Sequence, residues 1–242
     1  IESKETHSGN KKNTTFEINK YPEFKEKIIY KKINSFPVSL NSWQKENYQR
    51  NYISNCLNQA KEDDIVLISD LDEIPNLENV NFGNYNEKII VFNQRLFFYK
   101  LNFGAKISSW HGTRACQKKF LKSPQWLRNL KTHKRYKFYR LDKLLFSNNY
   151  ERNFKIINNG GWHFTWLGDL DFIKNKLKSF AHTELNNPIV NNDNYIKKCI
   201  DELKPIEIKQ KIELNKLSIN EINLPTYVVQ NIDKYRSLLD VN

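Results

Sequence analysis

Apolar residues along this chain gather in short blocks between polar stretches, and the spacing inside each block assigns it to a strand or a helix. Ile65-Val66-Leu67-Ile68 is an uninterrupted, mostly β-branched run directly after acidic Glu62-Asp63-Asp64. Such a run predicts a strand buried on both faces, as at the centre of a parallel sheet. Ile89-Ile90-Val91-Phe92 and Leu96-Phe97-Phe98-Tyr99, joined by Asn93-Gln94-Arg95, predict two further strands. Helical spacing replaces these runs elsewhere. Tyr52, Ile53, Cys56, Leu57 and Ala60 recur at that spacing, predicting a helix capped by Asn41 or Ser42 and running to about Lys61. Leu170, Ile173, Leu177, Phe180 and Ala181 share one stripe, as do Ile196, Cys199, Ile200 and Leu203. Val229, Ile232, Tyr235 and Leu239 mark a last helix after Pro225. Helices alternating with buried strands predict an α/β architecture, a mostly parallel sheet flanked by helices.

No repeat or long linker divides the 242 residues, so residues 1–242 read as a single domain. A chain this long buries roughly 70–75% of its unfolded surface and needs no disulfide or metal to stay folded. No apolar run approaches the length of a membrane span, and no secretory signal is visible. The three cysteines, Cys56, Cys116 and Cys199, lack disulfide-framework or zinc spacing, which favours a reducing compartment. The expected location is therefore cytoplasmic, or peripheral on a membrane. The chain opens on Ile1-Glu2-Ser3 without Met, which suggests that a first strand of the fold is missing. A net charge of +12 attracts anions such as nucleoside diphosphates or anionic lipid, although a lysine-solvated surface gives the same number.

The densest chemistry is Ser69-Asp70-Leu71-Asp72-Glu73-Ile74-Pro75, which leaves the Ile65–Ile68 strand at the edge where open α/β sheets bind ligands. Asp70 and Asp72, two residues apart in an extended stretch, point to the same side. Two carboxylates about 5 Å apart repel by roughly 3 kcal/mol at an effective dielectric near 20. A raised pKa relieves that repulsion, and a divalent cation relieves it better; hard oxygen ligands suit Mg²⁺ or Mn²⁺. A solvated turn at a strand end is the plain alternative.

A second constellation runs from Asn158 through Gly160-Gly161-Trp162-His163-Phe164-Thr165-Trp166 to Gly168. Paired glycines permit close backbone approach, Trp162 and Trp166 offer flat faces suited to sugar rings, and His163 is a candidate ligand. The same three side chains also suit an ordinary core. Asp169 and Asp171 fall at a helix start, where acidic residues stabilise the dipole. His182 and Glu184 have no metal spacing, and Arg50 is spaced either to pair with Glu46 or to bind phosphate. Dinucleotide, P-loop, zincin and serine-hydrolase signatures are missing, and without a helix-turn-helix, zinc-finger or RNP pattern nucleic acid is not an expected partner.

Several ordered segments together carry a resemblance: Ile1-Glu2-Ser3 with Thr6, Gly9 and Lys12; Tyr48-Gln49-Arg50-Asn51; Ser69 to Pro75; Arg95; Gly161 to Trp166; and Tyr227-Val228-Val229-Gln230-Asn231. The chain resembles glycosyltransferase family 17, which includes β-1,4-mannosyl-glycoprotein β-1,4-N-acetylglucosaminyltransferases, over nearly its whole length. That resemblance implies a GT-A-like, Rossmann-type fold, a UDP-sugar donor such as UDP-N-acetylglucosamine, a glycan acceptor, Mn²⁺ or Mg²⁺ at the Asp-x-Asp, and inversion to a β-linkage. Carried onto this sequence, it implies that Asp70 and Asp72 hold the metal and donor diphosphate, with His163 as a further ligand. It places Glu2, Lys12 and Arg50 at the donor, Arg95, Trp162 and Trp166 at the sugar or acceptor, and Asp171 as the catalytic base, with Glu73 and Glu184 as alternatives. A non-catalytic domain binding carbohydrate or polyanions on the same fold is the competing reading.

Overall fold

The computed structural model describes residues 1–106, 110–132, 153–206, 212–218 and 221–240. The chain divides into two compact units, residues 1–60 with 170–198, and residues 61–169 with 199–242.

In the first unit, β1 (Glu2–Ser3) pairs in parallel with β2 (Lys32–Ile33). A helix follows at Ser42–Asn51, and its start is the expected one: Asn41 accepts from the Gln44 amide while Gln44 returns a bond to the Asn41 amide. Its end comes early, because a 3-10 turn at Tyr52–Cys56 replaces the last predicted turns. This segment buries no side chain that would hold an α-helix together through tertiary packing. The helix Leu170–Ser179 buries Ile173 and Leu177 on its predicted stripe. It is tied to the helix Asp193–Asp201 by a 2.7 Å ion pair from Lys174 to Asp193.

The second unit holds an eight-stranded sheet whose main path is antiparallel throughout. The strands are β3 (Ile65–Ile68), β4 (Glu73–Pro75), β5 (Ile89–Phe98), β6 (Phe103–Ala105), β7 (Trp110–Gln117), β8 (Phe154–Ile157), β9 (Gly161–Thr165) and β10 (Leu214–Lys216). The path runs β10-β6-β5-β7-β3; β8 and β9 join β5 in parallel, and β4 pairs antiparallel with β9. This overturns the expected mostly parallel, Rossmann-type GT-A sheet. Apolar runs report burial but not strand direction, and parallel neighbours need long crossovers, usually helical. Among the described residues between β3 and β9, the only α-helix is the short Pro124–Asn129. β3 is not central either. It ends the path, and its burial alternates, with Val66 and Ile68 inside and Ile65 and Leu67 half-buried.

The centre is β5. It fuses the two predicted runs into one ten-residue strand, and the polar Asn93-Gln94-Arg95 segment lies within it. A register shift against β7 between Val91 and Asn93 accommodates the join. Gln94 is almost fully buried, yet its amide oxygen accepts from the Thr113 N–H at 3.0 Å. Phe92, Phe97 and Tyr99 are also buried, and each such side chain contributes about 1.5–3 kcal/mol. Phe97 packs with Leu101, Trp162, Phe164, Leu224 and Leu239, so the sheet and the C-terminal segment share one core. That segment forms a short helix, Thr226–Gln230, and a 3-10 helix, Ile232–Leu238, in place of one continuous helix. Among the described residues no helix is long and apolar enough to cross a membrane.

Candidate functional site

The chain leaving β3 turns at once. The Glu73 N–H donates to the Asp70 carbonyl at 3.0 Å, closing a turn with Leu71 and Asp72 at its tip. The Ser69 hydroxyl donates to the Glu73 carbonyl at 2.9 Å and lies 2.6 Å from the Thr113 hydroxyl, pinning the turn to β7. On the opposite side the Phe164 N–H donates to the Asp72 carbonyl at 2.8 Å. The acidic turn is thus fixed between β7 and β9. β4 then pairs with β9 so that Glu73 lies opposite His163, which places the two side chains on one face.

The three carboxylates have different surroundings. Glu73 is sealed from solvent, and its oxygens accept four bonds. These come from Arg128 Nη1 at 2.9 Å, Arg128 Nη2 at 2.6 Å, Trp110 Nε1 at 2.7 Å and the Asp70 amide at 3.2 Å. Asp70, about one third exposed, meets Arg128 Nη2 through Oδ2 at 2.8 Å. Asp72 is similarly exposed, and its Oδ1 lies 3.5 Å from His163 Nε2. His163 is buried beneath Trp110, with ring centroids 4.6 Å apart and planes tilted by 31°. Its Nδ1 is buried without a hydrogen-bond partner among the described residues.

Burial opposes the charge on Arg128, but the fields of Glu73, Asp70 and Asp72 and its bonds to Glu73 outweigh burial and hold its pKa above the ordinary arginine value. Arg114, also buried, goes the other way. Burial and the neighbouring Arg128 charge lower it to about 10, against a smaller opposing pull from Glu73. Arg114 Nη1 donates to the Leu127 and Arg128 carbonyls, tying down the end of the helix that carries Arg128. Gly112 on β7 is required by crowding. A Cβ there would stand 2.0 Å from Gln94 Oε1 and 2.8 Å from Glu73 Oε1.

Asp70, Asp72, Glu73 and His163 therefore lie in one unit, with Asp70 and Asp72 on a turn and not in the extended stretch expected from their spacing. Arg95, Trp162 and Trp166 belong to the same unit. Arg95 faces Trp162 in register, and its guanidinium lies over the Phe97 ring. Trp162 and Trp166 are both buried, with the Trp162 indole N–H donating to the Asn223 carbonyl at 2.6 Å.

The remaining candidates lie in the other unit. Glu2 accepts from the Thr15 and Phe16 amides and the Thr15 and Tyr30 hydroxyls; together these bonds outweigh burial, the largest single influence, and lower its pKa. Lys12 is exposed, Arg50 pairs with Glu46 at 2.8 Å, and Asp171 is exposed in the first turn of its helix. Glu184 bonds His182 Nδ1 at 2.8 Å.

The sequence reading passed over Arg128, Trp110 and Gly112. Arg128 had one usable signal. Only eight of the 39 basic residues are arginines, the side chain suited to bidentate carboxylate pairing.

A divalent ion can be weighed against this donor set. No group of three His, Cys, Asp or Glu side chains able to hold a metal occurs among the described residues. The half-exposed Asp70 and Asp72 carboxylates, with the imidazole of His163 beside Asp72, nonetheless fit a cation held by one or two carboxylates and completed by substrate phosphates.

The family model described as Glycosyltransferase family 17 matches residues 1–242. Comparison with curated proteins and with solved structures gives no match.

Proposed function

Because the chain belongs to glycosyltransferase family 17, we propose that it transfers a sugar, N-acetylglucosamine in the first instance, from a UDP-sugar to a glycan hydroxyl with inversion at the anomeric carbon. The observation that carries this reading is the rigid acidic turn after β3, with Asp72 beside His163 on its half-exposed edge. Asp70, Asp72 and His163 would hold Mn²⁺ or Mg²⁺. When bound, the ion would neutralise charge on the departing diphosphate.

The protein's own residues do the rest. Bonds to β7 and β9 hold the backbone of the turn that carries the carboxylates, so little backbone reorganisation is needed when the donor arrives. Asp171, exposed at the start of its helix, takes the proton from the attacking hydroxyl, a role for which Glu184 is the alternative. Glu73, with four donors on its two oxygens, serves better as a holding group than as a base. Glu2, Lys12 and Arg50 remain assigned to the donor, and Arg95 with Trp162 and Trp166 to the sugar-binding wall. For the two buried tryptophans that role is to shape the wall from behind.

Calorimetry with UDP in the presence of Mn²⁺ tests the reading. Binding should be lost in Asp72→Ala and on adding EDTA. Binding indifferent to chelator but falling steeply with salt would replace it with a polyanion-binding domain.

A further inference from the structure

We propose that Arg128 is a positioning residue of this site. Clamped by Glu73, its guanidinium holds Asp70 and leaves Asp72 with His163 as the edge that meets the ligand. The inference rests on reading the acidic turn as the donor site.

Three carboxylates in four residues need compensation, and the fold supplies it internally. Arg128 spans two of them, both oxygens of Glu73 and Oδ2 of Asp70. A guanidinium makes this bridge because its donors form a rigid fork, whereas an ammonium is a point charge with no fixed fork. The clamp is itself held at both ends. Trp110 and the Asp70 amide fill the remaining positions on Glu73, and Arg114 fixes the Leu127 and Arg128 carbonyls. Ser123 caps the start of the same helix through the Trp126 amide.

Asp70 pairs with a guanidinium that is only 13% exposed, while Asp72, about one third exposed, has the His163 imidazole at 3.5 Å.

The test uses Arg128→Lys and Arg128→Gln in the full chain, with two readouts. The first is hydrogen exchange at the Asp70 amide and the Trp110 indole, the latter assigned with Trp110→Phe. The second is UDP affinity in the presence of Mn²⁺. In a variant that still melts cooperatively, both N–H groups should exchange at least about tenfold faster, while the Phe164 amide, which bonds the Asp72 carbonyl, stays unchanged. UDP affinity should fall about tenfold or more, and Lys should not restore it. Unchanged exchange at Asp70 and Trp110, or wild-type UDP affinity in Arg128→Lys, overturns the proposal. If neither variant folds, Asp70→Asn cuts the ion pair at its exposed end. It should then weaken UDP and loosen the Asp70 amide, and wild-type behaviour in both overturns the proposal. If the wild-type protein binds no UDP, the donor-site reading fails on its own, and the exchange data still judge the clamp.

Discussion

Trp110 and Glu73 meet through a 2.7 Å hydrogen bond from the indole Nε1 to a carboxylate oxygen that solvent does not reach. The same indole covers His163, so one side chain supports both the buried acid and the imidazole beside Asp72. Trp110→Phe keeps an aromatic ring over His163 but removes the N–H. It should cost about 1.5–3 kcal/mol, the range for a hydrogen bond to a charged group. Urea denaturation measures the loss, and Trp110→Ala should cost more because the ring contact goes as well.

Glu73 and Arg128 form the buried ion pair of the site. Loss of Glu73 leaves the buried Arg128 with the partly exposed Asp70 in place of a fully buried partner, so Glu73→Leu should destabilise by about 3–5 kcal/mol. Replacing both, Glu73→Leu with Arg128→Met, should restore much of that stability while leaving donor binding impaired. A double-mutant cycle read by chemical denaturation checks this, and simple additivity of the two single losses would contradict it.

The site was legible in the sequence where adjacent residues carry it and illegible where the fold assembles it. Asp70, Asp72 and Glu73 follow one another, and Gly161-Trp162-His163 is a compact motif, so both were visible. Arg128 lies 55 residues after Glu73 and Trp110 lies 37 after it, and only strand and helix packing brings them in. Stripes at Leu170–Ala181 and the Asn41 cap read correctly because helix periodicity and capping are local. Strand direction did not, because Ile65–Ile68 has the same composition at the end of an antiparallel path as at the centre of a parallel sheet. The polar Gln94 made β5 look like two strands. Its burial is tolerated because Thr113 and the Trp162 carbonyl satisfy its amide, and those partners are distant in sequence.

Gly112 tests how tightly this polar layer is packed. Gly112→Ala would place a methyl 2.0 Å from Gln94 Oε1 and 2.7 Å from a Trp110 ring carbon. Overpacking of this kind typically costs about 1–3 kcal/mol. Thermal melting should show the loss, and Gln94→Ala in the same chain should recover part of it. Equal melting of Gly112→Ala and wild type would contradict the packing.

Cys116, buried on β7 where it pairs with Val66 and Ile89, is pushed up to about 12 by burial from an ordinary thiol value of 9.0. The folded state therefore keeps this proton at pH values where the unfolded chain releases it. Its contribution to stability is complete below pH 9 and is lost progressively as pH rises from there towards about 12. Denaturation midpoints between pH 8 and 10 should fall less in Cys116→Ala than in wild type. Alkylation of the folded protein should proceed faster at half-buried Cys56 than at Cys116.

As the proposed base, Asp171 would act on proton transfer and not on the hold of the diphosphate; it lies in the first turn of its helix. If Asp171 accepts the proton of the acceptor hydroxyl, Asp171→Asn should lower kcat by about 10²–10⁴-fold. UDP affinity in Mn²⁺ should stay within about twofold of wild type, because Asp171 has no assigned part in holding the diphosphate. Glu184→Gln is the control; its carboxylate already bonds His182 at 2.8 Å, and its loss should change kcat little. A large kcat loss in Glu184→Gln with an active Asp171→Asn would transfer the role to Glu184, and the two are distinguished by one transfer assay alongside one titration.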